Sequence, residues 1–352
     1  MKYLLYGANG YTAQLIIEQS RSFGLTPVLA GRNATKIRDL ASKHDLEYHI
    51  VDLAEADKLA EILKGYPVVL HCAGPFIHTA SPMMEACMRT GTHYLDITGE
   101  IEVFEQTALL DARAKAAHIM LLPGVGLDVV PTDCLALYLK NQLPDATHLQ
   151  LAIGGKTKVG ISRGTMMTMI ETLGEGGMVR IEGKLTKIPI AQHTLKASFA
   201  KDFDGLCASL PWGDVATAYY TTGIGNVESF FRVSRPTLAM LRLGRLFDGL
   251  VRKEWVRNIV RKRTDKTMTG PDEEARQKGE VYYWGKVWNA NNESVQARLR
   301  TPESYHLTAL TALTILKKVV DGHLKLGYQT PASCFGADLI LEIPGTEREI
   351  IR

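Results

Sequence analysis

The chain has 352 residues, 45% hydrophobic and 22% charged, with a formal net charge of +3. This is the composition of an ordinary soluble globular protein of about two domains, and so small a net charge excludes a global electrostatic case for nucleic-acid binding. No stretch reaches the roughly 18 continuous apolar residues that span a bilayer. The five cysteines (Cys72, Cys87, Cys134, Cys207, Cys334) show neither CxxC nor zinc spacing, and the ten histidines form no HExxH cluster. No metal site is therefore expected, and scattered, odd-numbered thiols point to a reduced, cytoplasmic compartment. The chain opens directly on a core strand, which leaves no room for a signal peptide.

Lys2 to Tyr6 is a short apolar run that reads as a buried strand. It runs into Gly7-Ala8-Asn9-Gly10-Tyr11-Thr12-Ala13 and then into a helical pattern from Gln14 to Gln19. Strand, GxxGxxA turn and helix form the opening of a dinucleotide-binding βαβ unit. Gly7 supplies the backbone freedom of a tight turn, and Gly10 keeps side chains away from an approaching pyrophosphate. Helix N–H groups and the helix dipole stabilise anionic oxygens there. Gly7, Asn9, Gly10, Tyr11 and Thr12 are the first cofactor-binding candidates.

The second strand, Pro27 to Ala30, ends in Gly31-Arg32-Asn33. NAD-binding versions place an acid at this strand end for the ribose 2′-hydroxyl. Arg32 stands there instead, with Lys36 one helical turn later, and a guanidinium grips a 2′-phosphate in bidentate fashion. The expected cofactor is NADP(H); the bland alternative is that Arg32 is a solvated loop cation.

The alternation continues with a helix over 37–44, a strand 48–51 ending in Asp52, a helix 58–63 and a strand 68–73 closed by Gly74-Pro75-Phe76. A helix follows over 81–89, then a strand 92–96, a helix 102–117 and a strand 118–122. This pattern predicts a Rossmann-type, doubly wound parallel α/β sheet, with ligands at the carboxyl ends of its strands. Asp52, Ala73, Gly74, Pro75 and Phe76 join the cofactor candidates on that ground, the nicotinamide lying near the 74–76 turn.

Past Gln142 the texture changes. Strands are expected over 148–153, 179–187, 281–289 and 293–301, the last two as a hairpin around Ala290-Asn291-Asn292. One helix, 164–173, interrupts them before about Arg235. This is a second, α+β domain with a mostly antiparallel sheet. From Tyr305 the chain is helical again to Val320, and it ends in an apolar helix over 337–343. The expected division is a nucleotide-binding domain over 1–140, with 303–352 packing back on it, and a substrate or oligomerisation domain over 141–302. No internal repeat or low-complexity tract is visible.

Asp96, Thr98 and Glu100 alternate after the fifth strand, so in extended backbone they share a face. A carboxylate there can act as a general acid if burial raises its pKa; the competing reading is a hydrogen-bond network tying the loop to the next helix. Asp128 follows Gly124-Val125-Gly126-Leu127, a hinge-like turn, and either orients a substrate or caps the turn. Arg163 opens a helix behind Ser162, which suits capping, and can face an anionic substrate. Met166, Met167 and Met169 read as core. Glu100, Asp128 and Asp96 are the proton-transfer candidates, Thr98 and Arg163 the substrate contacts, in a cleft formed by the 96–100 loop, the 126–128 hinge and the Arg163 helix start. Residues 235–263 alternate basic and apolar side chains, as a peripheral membrane contact, a surface helix or an oligomer contact would.

Several patches together resemble the saccharopine dehydrogenase-like oxidoreductases, in the branch that includes the trans-acting enoyl reductases. They are Gly7 to Thr12, Ala30-Gly31-Arg32, Cys72 to Phe76, Tyr94 to Glu100, Gly126 to Asp133, Ser162 to Thr165 and Gly327 to Ala332. Ala13 stands where many relatives have a third glycine. The resemblance implies an NADP-type Rossmann domain, an α+β second domain and a cleft between them. The expected activity is NADP(H)-dependent reduction of a C=N, C=C or carbonyl group in a small or lipid-like substrate. The rival is a non-catalytic NADP(H)-binding protein that docks on a membrane or partner, since no Tyr–x–x–x–Lys or His–Asp relay is evident. The expected partners are the substrate and a second copy of the chain in a homo-oligomer, most simply a homodimer, with no nucleic acid.

Overall fold

The computed structural model describes residues 1–155, 162–172, 174–264 and 270–351; the side chains of Leu250 and of 261–264 are outside the description. In chain order the first half gives β1 (Lys2–Tyr6), α1 (Tyr11–Ser20), β2 (Thr26–Gly31), α2 (Ala34–His44), β3 (Tyr48–Ile50), α3 (Ala56–Leu63), β4 (Val68–His71), α4 (Phe76–Thr90), β5 (His93–Asp96), α5 (Ile101–Leu109), α6 (Asp111–Ala116) and β6 (Met120–Leu122). Then come α7 (Val130–Gln142), β7 (His148–Gly155), α8 (Arg163–Glu171), β8 (Gly177–Ile181), β9 (Lys184–Ile188), β10 (Thr194–Ala200), β11 (Phe203–Ser209), α9 (Asp214–Thr222) and β12 (Asn226–Arg232). The remainder is α10 (Arg235–Gly244), α11 (Asp248–Val251), α12 (Glu254–Thr264), α13 (Glu273–Lys278), β13 (Glu280–Trp288), β14 (Ser294–Pro302), α14 (Ser304–Val320), β15 (Gly327–Tyr328), α15 (Pro331–Phe335) and β16 (Glu347–Ile351).

The chain divides into two units, one of Met1–Leu127 with Tyr305–Cys334, the other of Asp128–Ser304 with Phe335–Arg352. The first is a parallel sheet in the order β15-β6-β5-β4-β1-β2-β3. Strands buried on both faces read as continuous apolar runs, and Leu4, Leu5, Val68, Val69 and Leu70 are fully buried. Local chemistry sets the helix ends. The Asn33 side chain accepts from Lys36 N–H at 3.0 Å to start α2, and Gly91, at φ +75°, stops α4 in the left-handed conformation. Chain order reverses between β1 and β4, and ligands of such sheets bind outside the strand ends at that switch point.

The second unit is a nine-stranded mixed sheet, β10-β11-β12-β7-β13-β14-β16 with β8 and β9 branching from β12. Within this sheet only β7 and β12 pair in parallel among the described strands. A Cβ on Gly285 of β13 would lie 2.6 Å from Leu139 of α7, so glycine lets that helix press on the strand. On the other face Phe199, Phe203, Phe230, Tyr282 and Trp284 form an aromatic core.

The structure corrects several expectations. The unit boundary falls at Leu127, not 140, because α7 packs in the second unit; residues 335–351 also belong there, with β16 extending the sheet beside β14. The helix expected over 102–117 breaks at Leu110 into two. The 179–187 strand is a hairpin, turning at Glu182 and Gly183, both at positive φ. Strands β10 to β12 and helix α9 had no expected counterpart, and the terminal helix is a 3₁₀ turn at Leu339–Glu342. Residue 173, the expected end of the 164–173 helix, lies outside the described residues, as do the side chains of Arg261, Lys262 and Arg263. Met166 and Met167 are only half-buried and Met169 is exposed, so the core of α8 rests on Ile170.

Candidate dinucleotide site

The turn after β1 is held by its own backbone. Gly7 N–H and Ala8 N–H both donate to the Ala30 carbonyl, at 2.8 and 3.2 Å, and Gly10 N–H donates to the Gly7 carbonyl at 2.9 Å. Gly7 sits at φ +80°, and a Cβ there would lie 2.7 Å from the Ala73 nitrogen. Glycine is thus required twice: by the backbone angle, and by the contact that closes the β1 turn on the β4 turn. Cys72 N–H to the Tyr6 carbonyl, 2.8 Å, carries the pairing of these strands to its end.

Gly10 is the N-cap of α1 and supplies no side-chain cap. The first rung of the helical ladder is Gln14 N–H to the Gly10 carbonyl, at 3.1 Å, so the N–H groups of Tyr11, Thr12 and Ala13 precede it. Tyr11 turns its ring edge-on to Tyr305 of α14, 5.0 Å between centroids. A Cβ on Gly10 would meet the Gly7 carbonyl at 3.2 Å, so that turn is tight before any ligand arrives. A bare helix start behind a glycine cradle fits an anionic dinucleotide pyrophosphate.

At the end of β2, Arg32 and Lys36 are both exposed, and a Cβ on Gly31 would lie 3.7 Å from the Asn9 side-chain oxygen. These are the expected neighbours of the turn. Asp52 is differently occupied: its Oδ1 accepts from Ala54 N–H at 2.9 Å, and its own N–H donates to Glu55 at 2.8 Å, which shapes the start of α3.

The Asp96–Glu100 segment forms a ladder. Asp96 accepts from Tyr94 O–H at 2.6 Å, Thr98 N–H at 2.9 Å and Gly124 N–H at 2.8 Å. Thr98 Oγ1 accepts from Glu100 N–H at 3.1 Å. The Glu100 carboxylate accepts from Phe76 N–H at 2.8 Å and Ile77 N–H at 2.7 Å, capping α4 from 24 residues away. Asp96 is 0% exposed, and burial pushes its carboxyl up to about 7. The expectation that these side chains face an open cleft is corrected here: Asp96, Thr98 and Glu100 are all buried, and besides the Tyr94 hydroxyl they accept from backbone N–H groups. Asp128 and Arg163 fall in the second unit. The Asp128 carbonyl accepts from Trp212 Nε1–H at 2.9 Å, and Arg163 is exposed behind the Ser162 cap, whose Oγ accepts from Thr165 N–H at 3.3 Å. The first unit by itself therefore brings together Gly7, Asn9, Gly10, Tyr11, Thr12, Arg32, Lys36 and the 73–76 turn, with Glu100 beneath that turn.

Two supports escaped sequence reasoning. Thr79 O–H lies 2.7 Å from the Ala73 carbonyl and 3.2 Å from that of Pro75, and His71 Nε2 lies 3.0 Å from Thr79 Oγ1. With the threonine donating to the turn, His71 must donate from Nε2, which leaves Nδ1 as a buried acceptor without a partner. Burial lowers this imidazole to about 3, so it stays neutral. The other support is the Glu100 cap. A cap from so far along the chain has no local signature, although Thr79, one turn into α4, could have been read as a turn-binding hydroxyl.

Residues 3–122 match the family model of the saccharopine dehydrogenase NADP binding domain. A human saccharopine dehydrogenase-like oxidoreductase is 25% identical over 249 residues, 62% of this chain and 58% of that protein. The first unit thus carries a domain that matches this family's NADP binding model, and the chain is similar to the saccharopine dehydrogenase-like oxidoreductases. A trans-acting enoyl reductase of Mycobacterium leprae is 31% identical over 140 residues, 37% of this chain and 33% of that one. The chain thus spans from about a third to under two thirds of the length of these relatives. Apo saccharopine dehydrogenase (L-Glu forming) from Saccharomyces cerevisiae superimposes with a TM-score of 0.69 over the whole of both chains at 13% identity, a likeness of fold. The matched domain runs from β1 through β6 and includes the cradle described above. Among the described residues no helix is long and apolar enough to cross a membrane, and no group of His, Cys, Asp and Glu is arranged to hold a metal.

Proposed function

We propose that this protein binds NADP(H) and uses it to reduce a C=N, C=C or carbonyl group of a small or lipid-like substrate. The observation that carries the reading is the α1 start: a glycine cradle without a side-chain cap, with Arg32 and Lys36 exposed at the neighbouring strand end. The cofactor supplies the hydride when bound. The chain's part is to bind and orient. The Tyr11, Thr12 and Ala13 amides face the pyrophosphate, and Arg32 with Lys36 takes the 2′-phosphate. Glu100, through Phe76 N–H and Ile77 N–H, fixes the turn beside which the nicotinamide is expected. The cytoplasm, where NADPH is abundant, suits such a reductase, and a homo-oligomer is its expected state.

Calorimetry with NADPH and NADH tests the cofactor, and NADPH oxidation against a panel of imines, enones and ketones tests the reaction. NADPH binding at least tenfold tighter than NADH, with one acceptor class consuming it, is the expected result. Equal affinities sink the 2′-phosphate assignment. A second reading, a dinucleotide-binding protein without catalysis, is favoured by the engagement of both Asp96 and Glu100 in backbone bonds. Tight NADPH binding with no acceptor in any class decides for it.

A further inference from the structure

Residues 235–263 carry nine lysines and arginines against two acids, a net +7 in a chain whose total is +3, so everything else together carries −4. In the second unit this stretch is α10, α11 and most of α12, and it is built the reverse of an ordinary surface helix. Four of its arginines reach back to the unit they sit on, Arg242 and Arg252 staying exposed: Arg242 Nε donates to the Ala191 carbonyl at 3.3 Å, Arg245 Nε to that of Ile190 at 2.8 Å and Arg252 Nε to that of Gly174 at 2.7 Å, while Arg257 pairs with Glu175 at 3.0 Å. The large apolar side chains turn outward: Leu243 is 64% exposed, Leu246 79%, Phe247 59% and Trp255 57%, with Met240 and Ile259 beside them. Met240 and Leu243 are three apart and Trp255 and Ile259 four apart, so each pair shares one side of its helix. An outward apolar row on a positively charged base is the chemistry of an interfacial helix.

We propose that this face seats the protein on an anionic lipid surface. The apolar row enters the boundary between headgroups and acyl chains, the exposed Arg235 and Lys253 meet lipid phosphates and carboxylates, and the net charge of the segment draws it to an anionic surface. Helices this short lie on the surface and do not cross it. A second copy of the chain is the weaker occupant, because a two-fold contact joins the same patch on both subunits and so presses +7 against +7.

The test is flotation of the full chain with vesicles of 70:30 phosphatidylcholine and phosphatidylserine, and with phosphatidylcholine alone, at low and high salt. Wild type should float with the anionic vesicles at least tenfold more than with the neutral ones, and high salt should weaken it. Leu243→Glu with Phe247→Glu should lose at least tenfold of that partitioning while keeping Tm and NADPH affinity. Brominated acyl chains should quench wild-type tryptophan fluorescence and leave Trp255→Phe largely unquenched. Absence of flotation with anionic vesicles, equal flotation of the double variant, or quenching that survives Trp255→Phe overturns the proposal. Self-association that the double variant abolishes, without flotation, overturns it in favour of a second copy.

Discussion

Helices α1 and α4 begin at the ends of neighbouring strands, β1 and β4, in one parallel sheet, and their first turns are finished in opposite ways. Helix α1 starts at a glycine with no side chain to cap it. Helix α4 starts behind Pro75, and its first two N–H groups are taken by the Glu100 carboxylate. Each helix start carries the same partial positive charge. In α4 a resident anion satisfies it at all times. In α1 no side chain caps it, which leaves room for the anion of the proposed dinucleotide. The contrast then separates the proposed binding turn from the turn that shapes its surroundings.

The largest expected effect comes from pH acting on the ladder beneath α4. Asp96 is held up to about 7 by burial, against 3.8 for an exposed aspartate. A raised carboxyl stabilises the fold fully below the unfolded value, and that contribution is lost as pH rises through the folded one. The first unit should therefore lose stability steadily between about pH 4 and 7, by roughly 4 kcal/mol at 1.36 kcal/mol per pKa unit. Asp96→Asn should flatten this slope: the amide oxygen keeps Thr98 N–H and Gly124 N–H, and the amide nitrogen donates to Tyr94. Thermal melts from pH 4 to 8 are the check, and a variant that parallels wild type refutes the assignment. In the second unit Asp214, pushed up to about 8 by burial beside Thr132, should give a like slope reaching about one unit higher.

Converting α1 into a copy of α4 gives the next largest effect. Gly10→Asp places a carboxylate at the N-cap, where it takes the N2 or N3 amide for itself. NADPH binding should fall by two orders of magnitude or more, about 3 kcal/mol, measured by calorimetry. The cost to the fold should be modest, since the new Cβ meets the Gly7 carbonyl at 3.2 Å and the Cys72 carbonyl at 3.8 Å. Retained affinity would mean that the α1 start is not the anion site.

Opening α4 is the converse. Glu100→Ala leaves Phe76 N–H and Ile77 N–H without their acceptor, and hydrogen bonds to a charged group are worth about 1.5–3 kcal/mol each. Water recovers part of this, so a loss of about 2–3 kcal/mol is expected, or roughly 5–10 °C in the melting of a unit this size. Glu100→Gln keeps one acceptor and should lose about half as much. A melting temperature unchanged in Glu100→Ala would show that the cap is incidental.

How far these features were legible in the chain follows from their range. The Gly7–Gly10 turn, the β1-to-β6 alternation and the Arg32 position are local, and each was readable from a few adjacent residues. The roles of Asp96 and Glu100 were not, because Gly124, one partner of Asp96, lies 28 residues away and the Phe76 partner of Glu100 lies 24 away, and only the fold brings them close. Both candidate proton donors in the first unit are held in structural bonds, the reading that had competed with catalysis. Strands β10 to β12 were missed because Ala197, Gly205 and Cys207 are small residues that give a weak alternating pattern; their burial comes from Phe199, Phe203 and Phe230 across the sheet. The boundary at Leu127 was misplaced because α7 continues the strand–helix rhythm of the first unit while packing in the second.

The smallest effect belongs to the cations at the β2 end, and it tests whether α1 distinguishes between dinucleotides or only holds their common pyrophosphate. Arg32 can meet a 2′-phosphate with two parallel N–H groups, whereas Lys36 is a single point charge on a flexible stem. Both are exposed, so solvent screens each and the gain per residue stays near the lower end for charged hydrogen bonds. Arg32→Ala should weaken NADPH about tenfold, some 1.4 kcal/mol, and Lys36→Ala two- to threefold, with NADH unchanged in both. Raising the salt should shrink both differences. The ratio of NADPH to NADH affinity, followed across wild type and the two variants, separates the strand end from the cradle: equal loss for both cofactors in Arg32→Ala would place this side chain at the pyrophosphate and leave the 2′-phosphate without its principal partner.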